Sequence, residues 1–171
     1  MLREAQLREL PILFSGEMVI AILADLKHMT RRVGGASYEV GDVLWVRETH
    51  WISEDGQHII YRADVAPASQ YTRKWRPSIF MPKWARRIIL EVTAVRREPL
   101  QAITEEDARA EGFDEWIPAK CITGLKGVRI SGAKREGTCR EHFSLRWDKI
   151  NGKRCLWSSN PEVQVVTFKR L

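Results

Sequence analysis

The chain has 171 residues, 44% hydrophobic and 29% charged, which is ample for one hydrophobic core and short for two, so one domain over 1–171 is expected. No apolar run is long enough to cross a bilayer or to serve as a signal peptide, so a membrane partner is not expected and the cytoplasm is the expected compartment. Lysine and arginine outnumber aspartate and glutamate by 28 to 22, a net +6, and that sign favours a polyanionic partner such as nucleic acid.

In chain order, Val19, Ile22, Leu23 and Leu26 follow the i, i+3, i+4, i+7 spacing of one helix face. With Ser15 as N-cap they predict a helix near 16–28. Lys27 and Thr30 lie three apart at its C-terminal end and would share a face if the last turn continues. A Gly41-Asp42 turn precedes the β-favouring run Val43 to Val46, and "HIIYRAD" reads as a further strand. Residues 64–83 carry Pro67, Pro77 and Pro82 among polar residues and read as a long loop or insertion. The clearest strand is Ile88 to Val95, nearly continuous in apolar and β-branched residues, as expected for a strand buried in a closed sheet.

"ITEEDARAEGF" then predicts a short helix with Thr104 as N-cap, acidic residues in its first turn and Gly112 as its stop. A second insertion, 114–141, shows neither helical nor strand period and is expected to be mobile. Phe143, Trp147 and Ile150 mark another helix, Asn151-Gly152 a turn, and "EVQVVTFKRL" a closing strand. The fold class expected is α+β, a small β-barrel or strongly curved sheet with a few short helices packed at its side.

Two charged residues stand out at helix ends. A cation such as Lys27 suits a helix C-terminus, but the Glu111 carboxylate meets the negative end of the dipole there, and a residue that breaks a local rule is a candidate for function. The positive charge bunches at Arg31 and Arg32, in "RKWR" and in "KWARR". Two of these clusters contain tryptophan, a pattern suited equally to holding RNA and to a solvated surface over a core ring. Arg31, Arg32, Arg47, Arg76, Lys83, Arg86 and Arg87 are the candidate nucleic-acid contacts. Cys121, Cys139, His142 and Cys155 lack the paired Cys-x2-Cys spacing of structural zinc sites, so no metal and no cofactor is expected. No Gly-x-Ser-x-Gly, P-loop or dinucleotide fingerprint occurs.

The segments "LADLKHMTRRV", "GDVLWVRET", "RIILEVTAVRREPLQAITEEDARAEGF" and "NPEVQVVTFKRL" resemble the successive motifs of ASCH domain proteins of the PUA-like superfamily, and "SIFMPKWARR" is similar to phage and prophage members. The resemblance implies a PUA-like β-barrel with a cleft for nucleotides or RNA, in the host cytoplasm if phage-encoded. Small bacterial members are amidohydrolases that remove the acetyl group from the exocyclic amine of acetylcytidine with a lysine, a threonine and a glutamate. These fall on Lys27, Thr30 and Glu111. Departures are Asp25 where a glycine is usual, His28 where threonine is frequent, and the two insertions, which could reshape the pocket.

A threonine hydroxyl needs a base to become a nucleophile, and Lys27 or Glu111 could supply acid–base chemistry, with the assignment open. The implied function is therefore binding of RNA or a modified nucleoside, with metal-independent hydrolysis of an acylated cytidine. A non-enzymatic RNA-binding module and a ribonuclease are the alternatives. Oligomeric state and the RNA target are not legible.

Overall fold

The computed structural model describes residues 8–34, 37–65, 74–113 and 137–171, together with the backbone of 120–124 and 127–131. The elements in chain order are β1 (Glu9–Leu13), α1 (Gly16–Leu23), β2 (Met29–Arg32), β3 (Val43–Arg47), β4 (His50–Ile52), β5 (Ile59–Tyr61), β6 (Ile89–Pro99), α2 (Glu105–Ala110), β7 (Lys120–Gly124), β8 (Gly127–Ser131), α3 (Cys139–Asn151) and β9 (Glu162–Arg170). Five strands form one sheet in the order β1-β3-β6-β9-β2. Among the described residues of this sheet, only the β1/β3 pair is parallel.

The expected closed barrel is corrected here: among the described residues the sheet is open, with β1 and β2 at its edges. The long β6 shows why. Leu90 and Val92 are buried, but after a bulge between Val92 and Ala94 the strand carries exposed or half-exposed residues and pairs with β9 alone. A bulge bends its strand and increases the local twist, so the two halves of β6 face different neighbours.

β9 is buried on both faces in succession. Val163 and Val165 pack with Leu100, Ala108, Phe143 and Trp147, whereas Val166 and Phe168 pack with Ile12, Val19, Ile22, Leu44 and Leu90. Because side chains alternate across a strand, one nine-residue strand serves the α2/α3 core with its first half and the α1 core with its second.

Three predicted boundaries move. The first helix ends at Leu23 rather than near residue 28. Asp25 adopts a left-handed backbone (φ 60°), and the chain then runs extended into β2, so Thr30, Arg31 and Arg32 are strand residues and Lys27 and Thr30 share no helix face. In the first insertion Arg76 bridges to His50, and short 3-10 turns occupy Ser78–Phe80 and Lys83–Ala85; residues 66–73 lie outside the described residues. The second insertion contains the β7/β8 hairpin, and α3 already starts at Cys139, fixed by a capping box between Thr138 and Glu141. The predicted helix after Thr104 is present: its hydroxyl accepts from the Asp107 N–H at 3.1 Å, and Gly112 follows with φ 91°.

Candidate functional site

Lys27 and Glu111 meet as an isolated antiparallel bridge beyond the C-terminal end of α2, and the His28 N–H donates to Ala110 O at 2.8 Å beside it. Gly112 makes the approach possible. A Cβ there would lie 3.0 Å from the Ala21 Cβ and 3.3 Å from the Lys27 Cβ, in a backbone conformation that side chains resist.

The Lys27 side chain is fully buried, and its Nζ donates to Glu111 Oε2 at 2.7 Å, Glu111 O at 2.9 Å and Met29 O at 2.7 Å. Three acceptors and no donor surround the nitrogen, an environment that an ammonium satisfies in full and a neutral amine does not. Burial pulls the Lys27 ammonium below the usual lysine range, and the Glu111 carboxylate opposes that shift. The apparent misfit of Glu111 against its helix dipole is thereby resolved, because one cation covers both its carboxylate and its backbone carbonyl.

Arg31 continues the network. It donates to Asp107 Oδ2 at 2.5 Å, to Glu98 Oε1 at 2.7 Å and to Glu111 Oε1 at 3.4 Å, and its guanidinium lies 5.9 Å from the Phe143 ring centroid. Arg96 binds Glu98 and Asp107 from the solvent side. Lys27, Arg31 and Arg96 thus face Glu98, Asp107 and Glu111, three charges against three.

Arg31 and Glu111 of this network also border a cleft of ≈460 Å³, within the range of small-molecule sites. Thr30, Arg31, Arg32 and Glu111 line it, so two of the three candidate catalytic side chains reach one cavity while Lys27 is absent from the lining. Phe14, Phe113, Phe143 and Trp147 give it aromatic walls, and Ser15, Thr49 and Ser78 add hydroxyls. One wall is α3 with the turn after it: Phe143, Arg146, Trp147, Ile150, Asn151 and Arg154 all face the cavity. Arg146 and Arg154 are not among the residues expected at the site, although Arg146 shares the helical spacing that marks Phe143, Trp147 and Ile150 as one face; Arg154 lies in the turn beyond α3, where that spacing no longer applies.

The candidate nucleic-acid contacts divide by what they already bind. Arg87 donates to both Glu48 oxygens at 2.8 Å and to Asp64 at 2.6 and 3.0 Å, and lies 3.9 Å from the Tyr61 ring centroid. Burial raises the Glu48 carboxyl above the usual carboxylate range even against that pairing. Lys83 and Arg86 both bind Glu9, at 2.6 and 3.4 Å. Arg47 donates to Ile79 O and stacks on Trp45, whereas Arg76 is exposed and tied to His50 through the backbone. Arg32 donates to Leu13 O at 2.7 Å and sits 5.1 Å from the Phe14 ring centroid, with no carboxylate partner among the described residues.

Cys139 is buried in the core with Phe143 and Trp147, and the side chain of Cys121 lies outside the described residues. Among the described residues, no group of three His, Cys, Asp or Glu could hold a metal, and no helix is long and apolar enough to cross a membrane.

No family model and no curated protein matches this chain. Among solved structures it is similar to the ASCH domain of Lactobacillus crispatus JV V101, with 14% identity, coverage of 95% of this chain and 79% of that one, and a TM-score of 0.43. It is likewise similar to a protein of Enterococcus faecalis V583 described under the family DUF984, with 10% identity, coverage of 96% and 76%, and a TM-score of 0.47.

Proposed function

We propose that the cleft binds one nucleoside unit and hydrolyses an acyl amide on the exocyclic amine of its cytosine-type base. The observation that carries this reading is the arrival of Thr30 and Glu111, from a strand and a helix end, in one aromatic-walled cavity with a buried ammonium fixed behind the carboxylate. Aromatic faces suit a base, and a carboxylate suits an amine that must gain a proton as it leaves.

In the proposed reaction Thr30 Oγ bonds to the acyl carbon while its proton passes to Glu111. The carbon–nitrogen bond then breaks and the proton goes on to the departing amine. Water cleaves the resulting ester, releasing the acid and restoring the threonine. Lys27 is assigned a positioning role here rather than that of the base, since all three of its protons are already accepted by oxygen.

The test is release of acetate from acetylcytidine, without added metal, by the wild-type protein and by Thr30→Ala, Thr30→Ser and Glu111→Gln. Turnover that survives in Thr30→Ser and is lost in the other two is expected. Wild-type protein that binds the nucleoside but never hydrolyses it would leave the cleft a base reader, with Thr30 and Glu111 as its contacts. An unaltered rate in Thr30→Ala would remove the covalent step.

A further inference from the structure

We infer that the part of the cleft beside the N-terminus of α1 is a phosphate site, so that the substrate of the reading above, on which this inference rests, is a nucleotide rather than a free nucleoside. Arg32 is the first reason. It lines the cleft without a carboxylate partner among the described residues: its guanidinium donates to Leu13 O, and its Nε, shut from solvent, meets no acceptor there. A guanidinium placed in that way is costly unless an anion completes it. Glu111 is near enough to be felt by Arg32, but its oxygens are already held by Lys27 and Arg31.

The second reason is the charge balance around it. Arg146 and Arg154 line the same cleft; Arg146 binds Glu17 at 2.5 Å and Ser15 Oγ at 3.2 Å, and Arg154 has no side-chain partner among the described residues. Glu17 is largely exposed and is not on the cleft wall. Three guanidiniums therefore face one carboxylate outside the Glu111 network, an excess of two positive charges that a phosphate dianion would cancel.

The third reason is the helix end itself. Ser15 occupies the N-cap position with extended backbone, yet its side chain makes no capping bond and accepts from Arg146 instead. The first N–H groups of α1 thus lack the partner that a cap would supply, and a Cβ added at Gly16 would meet nothing within 4 Å. Backbone N–H groups at a helix N-terminus, with Ser15 and Met18 on the cleft wall and surplus arginines in the same cleft, are the chemistry that binds phosphate.

The experiment compares the affinities of cytidine, cytidine 5′-monophosphate and the dinucleotide cytidylyl-cytidine by calorimetric titration, with the wild-type protein and with Arg154→Ala and Arg32→Gln. The wild-type protein is expected to bind a phosphorylated ligand at least tenfold more tightly than cytidine, with that ratio falling towards one in Arg154→Ala and as salt is raised. Thermal melting of Arg154→Ala should match wild type, because that exposed side chain bonds to no other side chain among the described residues, so the test survives even if Arg32→Gln fails to fold. A preference for the monophosphate would point to a free nucleotide, and an equal preference for the dinucleotide to a residue within RNA; both support the site. Equal affinities for cytidine and its phosphorylated forms would overturn the phosphate site while leaving the nucleoside cleft standing. No binding of any of the three would overturn both.

Discussion

Replacing Lys27 by methionine keeps an unbranched side chain one atom shorter and removes the charge, so it tests chiefly what the ammonium does. The side chain has no solvent exposure, and the change strips hydrogen bonds of 2.7, 2.7 and 2.9 Å from Glu111 Oε2, Met29 O and Glu111 O. Glu111, itself 3% exposed at its side chain, keeps as its ionic partner among the described residues the 3.4 Å contact with Arg31. Breaking a buried pair from one side costs about 3–5 kcal/mol, because the other charge stays in the interior without compensation. At about 2–4 °C per kcal/mol for a chain of this size, the melting temperature should fall by roughly 6–20 °C. Urea unfolding followed by circular dichroism would measure it, alongside Glu111→Leu and the double variant. Removing both partners should recover much of the loss, giving a coupling of about 2–3 kcal/mol. If Lys27→Met unfolds within about 1 kcal/mol of wild type, or the two changes simply add, the ammonium is not holding the carboxylate and its assigned role fails.

Arg87→Ala should destabilise by about 3–5 kcal/mol in urea unfolding, since it strands the buried Glu48 carboxylate, whereas exposed Arg76→Ala should leave stability unchanged and lower the salt slope of RNA binding by about one. The reverse pattern would reassign Arg87 to the nucleic-acid surface. Gly112→Ala should cost at least about 1–2 kcal/mol from its left-handed backbone alone, more with the 3.0 Å contact to Ala21, and turnover should fall with it as Glu111 shifts; a neutral effect on unfolding refutes the close approach. Burial works against ionising Glu98, but hydrogen bonds from Arg96 and Arg31 hold its carboxyl below the usual range. Its stabilising contribution is therefore complete above about pH 4.5 and is lost as the pH falls through the folded-state value. The stability gap between wild type and Glu98→Gln should narrow on acidification below pH 4.5, and a gap that widens would contradict the pairing.

Periodicity made the elements with strong local patterns legible before any coordinates. The strand from Ile89, the helix after Thr104, the helix through Phe143 and Trp147 and the closing strand all lie where their spacing put them. Leu26 continues the apolar period past the end of the first helix, whereas the residue that ends it is a left-handed Asp25, a conformation open to aspartate but not announced by its type. Barrel closure fails for a different reason. A continuous apolar strand is compatible with burial in an open sheet or in a closed one, and only the bulge after Val92 and the pairing partners decide between them.

The charged residues show most clearly what a sequence withholds. Glu111 was legible as an exception because a helix dipole acts locally, but the cation that answers it comes from a segment joined to it only by folding. The arginines fail in the opposite way. Clustering along the chain drew attention to Arg31 and Arg87, each of which is consumed by carboxylates brought from elsewhere. Arg146 and Arg154 stand outside those clusters, yet they line the same cleft as Arg32. Net positive charge is a property of composition, whereas the charge available to a ligand is what remains after the fold has paired its own ions. Among the described residues, Arg32, Arg146 and Arg154 line one cleft, which is why affinity for a single phosphate there is a sharper test of nucleic-acid chemistry than the overall +6.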